Sequence, residues 1–327
     1  MKAVYIKEFG GIENLEMREV PDPQAPDGDQ ILIRVRAAGL NRADLLQRRG
    51  LYPPPPGYSP NIPGLEFAGE IEAAGDSVDG YKKGDRVFGI TAGEAQAEFL
   101  LIDSSLVAEI PDNLNFAEAA AVPEAFITAH DAVFAQARLK EGESLLIHAV
   151  GSGVGLAALQ LAKANGAETF GTSRTTDKLE RCRPFGLAHA IAASDGNFIE
   201  ALLKLTDGSG VDVILDLVGG AYFEQNLQSL KTKGRLMLVG TTSGSKAEID
   251  LSIVMRKRAK IVGTVLRARP TDEKADAVQR FSDEVVPLLA TGKVRPNVDR
   301  VFSVGEVQEA HAYLESNESF GKVIFEF

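Results

Sequence analysis

The sequence predicts an α/β protein with two domains, an irregular β barrel and a doubly wound parallel sheet. Three observations predict it: short β-branched runs fill roughly the first 120 residues, strands and helices alternate from Ser144 to about Val265, and further strand and helix patterns follow Asp276. Since a domain usually holds about 100–200 residues, 327 residues favour two domains. We expect residues 125–265 to form the parallel-sheet domain, inserted between residues 1–124 and 266–327 of the barrel domain.

The expected barrel begins with short strands that Gly and Pro interrupt. Strands are predicted at residues 31–37, 68–74, 85–90 and 98–102. Many short strands with frequent turn signals are typical of an irregular barrel or sandwich. Residues 52–58 (YPPPPGY) are predicted as a stiff surface loop, because proline fixes φ and lacks an N–H donor.

The expected parallel sheet follows two Ala-rich helices at residues 116–122 and 125–137. Its strands are predicted at residues 144–149, 169–173, 211–217 and 235–240, with helices at 154–165 and 176–185, the latter ending at Gly186. Strand–helix alternation with continuously apolar strands predicts a parallel sheet covered on both faces. After it, a helix at 278–290, a strand at 298–302, a helix at 304–314 and a strand at 322–327 are expected to return to the barrel.

Residues 145–158 (LLIHAVGSGVGLAA) carry the strongest functional signal. A buried strand runs directly into glycines and then into an Ala-rich helix, which is the context of a dinucleotide-binding turn. Glycine lets the backbone approach a pyrophosphate, and the helix N-terminus offers free N–H donors and a positive dipole end. The strict G-x-G-x-x-G spacing is absent. An A-x-x-G-x-x-G frame fits Ala149, Ser152 and Gly155, with serine in place of the middle glycine. The predicted turn residues are Ala149, Gly151, Ser152, Gly153, Val154 and Gly155, and a purely structural tight turn is the alternative.

The end of the next strand indicates which dinucleotide is bound. NAD-binding folds place a carboxylate about 20 residues past the glycines, where it accepts the ribose hydroxyls. Here Ser173, Arg174 and Thr175 occupy that stretch, and Lys178 follows one helical turn later. A 2′-phosphate repels a carboxylate and favours Ser, Thr, Arg and Lys. We therefore expect NADPH, with its phosphate at Ser173, Arg174 and Lys178; the alternative is that these are ordinary surface residues.

Composition and charge exclude several classes of partner. A formal net charge of −11 argues against nucleic acid and anionic membranes, and the basic residues 255–260 (MRKRAK) are expected to be a solvated helix face. No apolar run approaches the roughly 20 residues that span a bilayer. The N-terminus lacks the apolar region of a signal peptide, and the only cysteine is Cys182, so a cytoplasmic location is expected.

Two other chemistries are disfavoured by missing residues. No tyrosine is followed four residues later by a lysine, which excludes a Tyr-x-x-x-Lys reductase. The one cysteine and the four histidines (His130, His148, His189 and His311) lie in different predicted elements, so no metal site is expected. We expect His148 to be a packed strand residue.

Five motifs together resemble the medium-chain dehydrogenase/reductase superfamily. They are Asn41-Arg42-Ala43-Asp44, residues 63–69 (PGLEFAG), residues 84–87 (GDRV), the turn at 149–155, and Gly321-Lys322-Val323. The resemblance covers nearly the whole chain in the same order. It is closest to the zinc-independent quinone oxidoreductases of the p53-inducible type, through NRADLLQRRGLYPPPPG and the LIHA lead into the turn. It implies a GroES-like barrel domain and a Rossmann nucleotide-binding domain.

The chain departs from the zinc alcohol dehydrogenases of this superfamily. They place a Cys near position 41 and Gly-His-Glu near 64–66, where this chain has Asn41 and Gly64-Leu65-Glu66. This departure indicates that the metal is lost, and Glu66 is then expected to be structural. Without a Lewis acid alcohol oxidation is disfavoured, whereas quinones and conjugated alkenes accept a hydride unaided. The protein then has to orient the nicotinamide and exclude water.

The resemblance also implies the remaining site residues. Asn41 is expected beside the nicotinamide ribose, Tyr52 in the acceptor pocket and Ser152 nearby, and these three are the catalytic candidates. Alternatively Asn41 caps a turn and Tyr52 stacks on prolines. Further nicotinamide contacts are implied for Val239, Gly240, Thr241, Leu266 and Arg267. Relatives often hold the adenosine phosphate with a tyrosine near position 193, where this chain has AIAAS at 190–194, so the three phosphate residues would act alone.

Three functional hypotheses remain at this stage. The favoured one is an NADPH:quinone reductase, and its rival is an enoyl or alkenal double-bond reductase, which needs a proton donor. A hypothesis of another class is an NADPH-binding sensor without turnover. The family commonly pairs edge strands of its nucleotide domains, so a homodimer or a dimer of dimers is expected.

Overall fold

The computed structural model describes all 327 residues and divides the chain into two compact units. Unit 1 is Met1–Ile127 with Leu266–Phe327, and unit 2 is Thr128–Val265. Unit 1 contains mostly antiparallel strands and unit 2 a parallel sheet with helices between its strands, which confirms the predicted α/β fold class. None of the helices combines the length and the apolar character that crossing a membrane requires.

The elements are numbered in chain order. The strands are β1 Lys2–Ile6, β2 Leu15–Glu19, β3 Gln30–Leu40, β4 Glu66–Ala74, β5 Arg86–Ile90, β6 Phe99–Asp103, β7 Val107–Glu109, β8 Ser144–Ile147, β9 Glu168–Ser173, β10 His189–Ala192, β11 Val211–Asp216, β12 Leu230–Leu238, β13 Lys260–Gly263, β14 Val298–Ser303 and β15 Lys322–Glu326. The α-helices are α1 Arg42–Arg48, α2 Phe116–Ala120, α3 Pro123–His130, α4 Gly153–Ala164, α5 Thr176–Cys182, α6 Ile199–Leu205, α7 Phe223–Ser229, α8 Leu251–Lys257, α9 Thr271–Glu284, α10 Val286–Ala290 and α11 Val307–Ser316.

Unit 1 is organised around the long strand β3. The sheet order is β14-β15-β3-β4-β5-β7, and β6 pairs with β3 as well. Only the β14–β15 pair is parallel. Along β3, Ile31, Ile33 and Val35 alternate into the core, the period-2 pattern of a strand with one buried face. Two register shifts against β4 mark bulges, which bend and twist the sheet as an irregular barrel requires.

Unit 2 is a six-stranded parallel sheet in the order β10-β9-β8-β11-β12-β13. Strand β8 is buried at every residue, because helices cover both faces of such a sheet. From β8 the chain moves outward to β9 and β10, and then returns to place β11 on the other side of β8. This reversal creates a topological switch point at the carboxyl ends of β8 and β11, where open α/β sheets bind their ligands.

Some predicted helices differ from the observed ones. The helix expected at 278–290 begins seven residues earlier, at Thr271, and is interrupted at Val285, because Pro287 lacks the N–H needed to continue it. The single helix expected at 125–137 is instead α3 followed by a π-helical turn, Asp131–Gln136. The strand expected at 235–240 begins at Leu230 and ends at Leu238.

Candidate active site

The six predicted turn residues form one tight turn at the carboxyl end of β8. Ala149 takes a left-handed conformation with φ +49°, and Val150 N–H donates to Thr172 O at 3.1 Å. Ser152 is the N-cap of α4, and its Oγ accepts from Gly155 N–H at 3.1 Å. A Cβ on Gly155 would lie 2.6 Å from Val150 O, so the first turn of α4 packs on the strand end too closely for any side chain.

This turn has donors available for a phosphate. The N–H groups of Gly153 and Val154 donate to no acceptor in the chain, and both residues are partly exposed. They lie in the first turn of a 12-residue helix, whose N-terminus carries a positive partial charge. The residues present therefore fit a dinucleotide pyrophosphate.

The predicted adenosine-phosphate residues lie at the carboxyl end of β9. Ser173 is the last residue of that strand, and Arg174 is exposed directly after it. Lys178 follows in α5 and is partly buried. Burial raises the pKa of Tyr222, and the Arg174 guanidinium opposes this rise, so Arg174 and Tyr222 lie within electrostatic range. No carboxylate stands at 173–175, which leaves room for a 2′-phosphate.

Two further strand ends complete this edge of unit 2. Val239 and Gly240 follow β12, and their N–H groups donate to Asp216 O at 2.9 and 3.2 Å. Asp216 ends β11, and its Oδ1 accepts from Val218 N–H at 2.7 Å and from Gly219 N–H at 2.9 Å. Because all these strands are parallel, their carboxyl ends bring the glycine turn, Ser173 and the expected nicotinamide contacts Val239, Gly240 and Thr241 to one edge.

A row of buried, hydrogen-bonded polar side chains connects the strand ends beneath that edge. The two ring nitrogens of His148 lie 2.9 Å from Thr172 Oγ1 and 2.6 Å from Asn226 Oδ1. Asn226 Nδ2 donates to Asp216 Oδ2 at 3.0 Å. Burial lowers the pKa of His148 to about 4, so its ring is neutral at physiological pH. His148 thus links the ends of β8, β9 and β11 and is not a surface group.

Unit 1 contains a cluster of buried or partly buried polar residues, here called the Glu66 cluster: Asn41, Asp44, Glu66, Glu124 and Lys322. Glu66 is fully buried, and its Oε1 accepts from Lys322 Nζ at 2.5 Å and from Asn41 Nδ2 at 2.8 Å. Its Oε2 accepts from Glu124 N–H at 2.8 Å. Lys322 Nζ also donates to Asn41 Oδ1 at 2.6 Å, so both ends of the Asn41 amide are engaged.

The other carboxylates of the Glu66 cluster have unusual environments. Asp44 accepts from Asn41 N–H at 2.8 Å and from Gly64 N–H at 3.0 Å, yet burial raises its pKa to about 6. Burial, and then the charge of Glu66, raise the pKa of Glu124 to about 8. Gly64 has φ +111°, and a Cβ there would lie 2.4 Å from Gln96 N, which explains the first glycine of the PGLEFAG motif.

Tyr52 and Arg267 form the second feature of unit 1. Arg267 is 4% exposed and donates to Ala92 O and Tyr52 O, each at 2.8 Å, and to Gln47 Oε1 at 2.5 Å. Its guanidinium carbon lies 5.0 Å from the centre of the Tyr52 ring. Three of the five guanidinium donors are therefore used inside unit 1, where they fix Tyr52. Leu266, the other expected contact beside it, is 6% exposed.

Sequence reasoning missed the chemical character of this cluster. Glu124 was not predicted as a site residue, and Lys322 and Asp44 were seen only as parts of motifs. The available signals were a glutamate directly after Pro123 at a helix start and a lysine at the first position of a C-terminal strand. No group of three or more His, Cys, Asp or Glu side chains is arranged to hold a metal ion, and the cation beside Glu66 is the Lys322 ammonium.

Comparisons with known proteins agree with these features. Residues 153–283 match the family described as zinc-binding dehydrogenase, and residues 27–130 match the alcohol dehydrogenase GroES-like domain. Human quinone oxidoreductase is 32% identical over 326 residues, which cover 99% of this chain and 97% of that protein. These matches confirm the resemblance that the sequence motifs predicted.

Two solved structures are similar over the whole length of the chain. Escherichia coli quinone oxidoreductase complexed with NADPH has a TM-score of 0.90 at 29% identity, and the match covers 100% of both chains. CurK enoyl reductase has a TM-score of 0.87 at 28% identity, covering 99% of this chain and 98% of that one. The similarity thus includes both a quinone reductase and an enoyl reductase.

Proposed function

Because this chain belongs to the medium-chain dehydrogenase/reductase family, we propose that it is an NADPH:quinone reductase that works without a metal ion. The coarser conclusion, an oxidoreductase with a nucleotide-binding domain, follows from the family itself. The observation that carries the finer proposal is the Glu66 cluster. There the Lys322 ammonium lies 2.5 Å from Glu66 Oε1, and Leu65 stands where the zinc enzymes have histidine. These residues do not form a ligand set for the Lewis acid that alcohol oxidation needs, whereas electron-poor acceptors do not need one.

The dinucleotide proposal rests on the edge of unit 2. The free N–H groups of Gly153 and Val154 would bind the pyrophosphate, with Ser152 holding the turn and Ala149, Gly151 and Gly155 shaping it. We propose NADPH because Ser173, Arg174 and Lys178 would offer hydroxyl and cationic donors to a 2′-phosphate and no carboxylate opposes it. When bound, the reduced nicotinamide supplies the hydride, and Val239, Gly240 and Thr241 would contact its ring.

The acceptor proposal rests on Tyr52. Burial raises the pKa of its hydroxyl, so the group stays a neutral donor and can hydrogen-bond the oxygen of a quinone as charge develops on it. Arg267 fixes the loop that carries Tyr52, and Asn41 would contact the nicotinamide ribose. We assign Tyr52, Asn41 and Ser152 the roles of acceptor donor, ribose contact and turn cap.

One further candidate function has its own support. The similarity to CurK enoyl reductase favours a conjugated alkene as a second acceptor class, because the same hydride can reach the β-carbon of an enone. A nucleotide-binding sensor without turnover is the third possibility.

One assay separates the three functions. The purified protein is mixed with NADPH and either a benzoquinone or an enone, and loss of the reduced nicotinamide absorbance is followed. We expect fast oxidation with the quinone, unchanged after dialysis against a chelator. Preferential enone turnover would favour the rival, binding without any turnover would favour the sensor, and stoichiometric zinc in elemental analysis would overturn the metal-free chemistry.

We also propose that the protein is a homodimer or a dimer of dimers, assembled through β13. This strand is an edge of the unit 2 sheet; Ile261 in it is 37% exposed, and Val265, two residues after it, is 53% exposed. An exposed apolar edge strand is a template for pairing with another copy. Sedimentation should therefore give a dimer that Ile261→Lys converts to monomer. Val301→Lys, on the edge strand β14 and 41% exposed, is the matched control that should leave the dimer intact.

We place the protein in a reducing compartment, with the cytoplasm as the proposed location. Its only cysteine, Cys182, is buried, and burial raises its thiol pKa to about 12. A thiol in this state is a structural apolar group and forms no disulfide. Fractionation of the expressing cells would test the location directly.

A further inference from the structure

We propose that the carboxyl group of Glu124 is the acid that protonates the acceptor after it has received the hydride. This inference rests on the proposed function and adds to it the proton donor that a double-bond reduction needs. It begins from the geometry of the Glu66 cluster. Glu124 is the only member of this cluster whose side chain makes no hydrogen bond or ion pair with other residues of the chain.

The backbone of Glu124 is fixed while its carboxyl group is free. Glu124 is the second residue of α3, and its N–H donates to Glu66 Oε2 at 2.8 Å. Glu66 is held in turn by Lys322 Nζ and Asn41 Nδ2. The Glu124 carboxyl makes no hydrogen bond or ion pair in the chain, and its oxygens are not among the buried atoms without a partner, so they reach solvent. An anchored backbone with a free, partly buried acid is suited to proton transfer.

The surroundings of Glu124 keep this acid protonated near neutral pH. Burial is the largest cause of its raised pKa of about 8 and Glu66 on β4 the second, while Asp44 on α1 adds to the rise. Lys322 on β15 and Arg267 oppose it. The remaining groups coupled to Glu124 are Lys274 on α9 and Tyr52 in the proline loop. A general acid is most effective when its pKa lies close to the working pH.

Glu124 also lies within electrostatic range of the proposed acceptor group, Tyr52. Its charge is one of the causes that raise the pKa of Tyr52, so the two side chains are within electrostatic range. We infer that an acceptor bound at the Tyr52 hydroxyl can receive a proton from this carboxyl. No other acid of the Glu66 cluster meets both conditions, because Asp44 and Glu66 are fully buried and accept hydrogen bonds with both oxygens.

The proton step balances without any further reactant. Hydride transfer brings one hydrogen nucleus and two electrons to the acceptor and leaves it with one negative charge. The O–H bond of Glu124 then breaks, and its proton forms an O–H bond on the quinone-derived oxyanion, or a C–H bond at the α-carbon of an enone-derived enolate. Glu124 is left as a carboxylate and regains a proton from water at its exposed side. The sum is NADPH, acceptor and one proton giving NADP⁺ and the reduced acceptor.

The two acceptor classes should depend on Glu124 to different degrees. A hydroquinone oxyanion takes a proton from water readily, whereas an enolate carbon is protonated slowly without a positioned acid. General acid catalysis typically contributes about 10²–10⁴-fold. We therefore expect Glu124→Gln to slow enone turnover by about 100-fold or more and quinone turnover by about tenfold or less.

The test compares wild type with Glu124→Gln, and with Glu273→Gln as the matched control. Glu273 is an exposed glutamate in the first turn of α9 in the same unit, so Glu273→Gln makes the same side-chain substitution away from the cluster. The rates of enone and quinone reduction are measured from about pH 6 to about pH 10. In wild type and in the control, enone turnover should fall as the pH rises through about 8. In Glu124→Gln, enone turnover should be slower and should no longer fall as the pH rises through about 8. NADPH binding, followed by fluorescence, should stay unchanged.

The outcomes separate this proposal from the proposed function. If wild type turns over but Glu124→Gln keeps its rate and its alkaline decline, Glu124 is not the donor and the reductase assignment stands. If wild type oxidises NADPH with neither acceptor, both fail. Should Glu124→Gln not fold, wild type alone decides, because a flat enone profile from about pH 6 to about pH 10, or no solvent deuterium isotope effect below pH 8, overturns the proposal.

Discussion

Lys322 Nζ lies 2.5 Å from Glu66 Oε1, and the two side chains are 6% and 0% exposed. Lys322 begins β15, after the chain has left unit 1 to form unit 2 and returned, whereas Glu66 begins β4. The ion pair therefore joins the two chain segments of unit 1. Removing two charges from water is unfavourable, and only good geometry with extra hydrogen bonds offsets it; here Asn41 supplies those bonds.

Lys322→Met should destabilise unit 1 strongly. The substitution leaves Glu66 as a buried carboxylate without its cation, which typically reduces the free energy of unfolding by about 3–5 kcal/mol. Urea unfolding should show a lower midpoint. The control is Lys83→Met, since Lys83 is 70% exposed and pairs with Glu72 on the surface, where such pairs contribute about 1 kcal/mol or less. Equal effects of the two substitutions would mean that the buried pair contributes no more than a surface one.

Gly155→Ala should weaken dinucleotide binding strongly. The added Cβ would meet Val150 O at 2.6 Å and Ala149 O at 2.7 Å, both backbone atoms, so the turn or the helix must shift. We expect NADPH binding, measured by fluorescence titration, to weaken by at least about 100-fold, because pyrophosphate binding needs the backbone at close range. Gly305→Ala is the control: its nearest contact is Ser303 Oγ at 3.8 Å. Normal binding by Gly155→Ala would show that the turn does not hold the dinucleotide.

The glycine turn could be predicted from sequence because all its determinants are local. The apolar strand, the glycines and the Ala-rich helix follow one another within residues 145–158, and the close approach at Gly155 is a property of that single crossing. The start of α9 could not be predicted in the same way. Its first residues are polar and mostly exposed, and its buried apolar face begins only at Ala277. Apolar periodicity therefore detects only its second half.

The Glu66 cluster could not be predicted from the sequence, because its residues are far apart in the chain. Glu66 contacts Glu124 across 58 positions and Lys322 across 256 positions of the chain. The pairing of β15 with β3, and of β3 with β4, brings Lys322 to Glu66, and the start of α3 brings Glu124 there. The motif resemblance identified the segments of Glu66 and Lys322 but not that of Glu124. It gave no information that the charged side chains of these segments are in contact.

The double variant Arg174→Ala with Lys178→Ala should weaken NADPH binding and leave NADH binding nearly unchanged. Hydrogen bonds to charged groups contribute about 1.5–3 kcal/mol each, so we expect the KM for NADPH to rise by at least about tenfold. Steady-state kinetics with both dinucleotides measure the effect. Lys204→Ala, an exposed lysine of α6, serves as the control. Equal losses for both dinucleotides would contradict the phosphate assignment.

Tyr52→Phe should lower kcat/KM for the quinone by about tenfold or more and leave NADPH affinity intact. The ring and its contact with the Arg267 guanidinium, at 5.0 Å, are retained, so only the hydroxyl donor to the developing oxyanion is lost. Stopped-flow measurement of quinone reduction, with cofactor titration alongside, separates the two effects. Tyr5→Phe is matched, because Tyr5 also lies under an arginine, Arg18, at 4.0 Å, and it should change neither quantity. Unaltered quinone kinetics in Tyr52→Phe would remove Tyr52 from the acceptor site.

His148→Gln should alter how stability depends on pH. Burial lowers the pKa of folded His148 to about 4, whereas the unfolded residue titrates near 6.5. Between these values the unfolded chain binds a proton that the folded chain does not, so protonation of this histidine lowers stability as the pH falls below about 6.5 and makes no contribution above it. His148→Gln also loses hydrogen bonds to Thr172 and Asn226, so it should be less stable than wild type at pH 7.

The measurable quantity is the difference between wild type and His148→Gln. Asp44 and Glu124 have raised pKa values and titrate with the opposite sign, but they occur in both proteins and cancel in the difference. The stability gap should therefore narrow on acidification by about 1.4 kcal/mol per pH unit between about pH 6.5 and about pH 4. His311→Gln gives a parallel test, since burial lowers the pKa of His311 to about 3. A gap that stays constant across this range in urea unfolding would mean that His148 titrates normally in the folded protein and that the row of polar side chains beneath the dinucleotide edge is open to water.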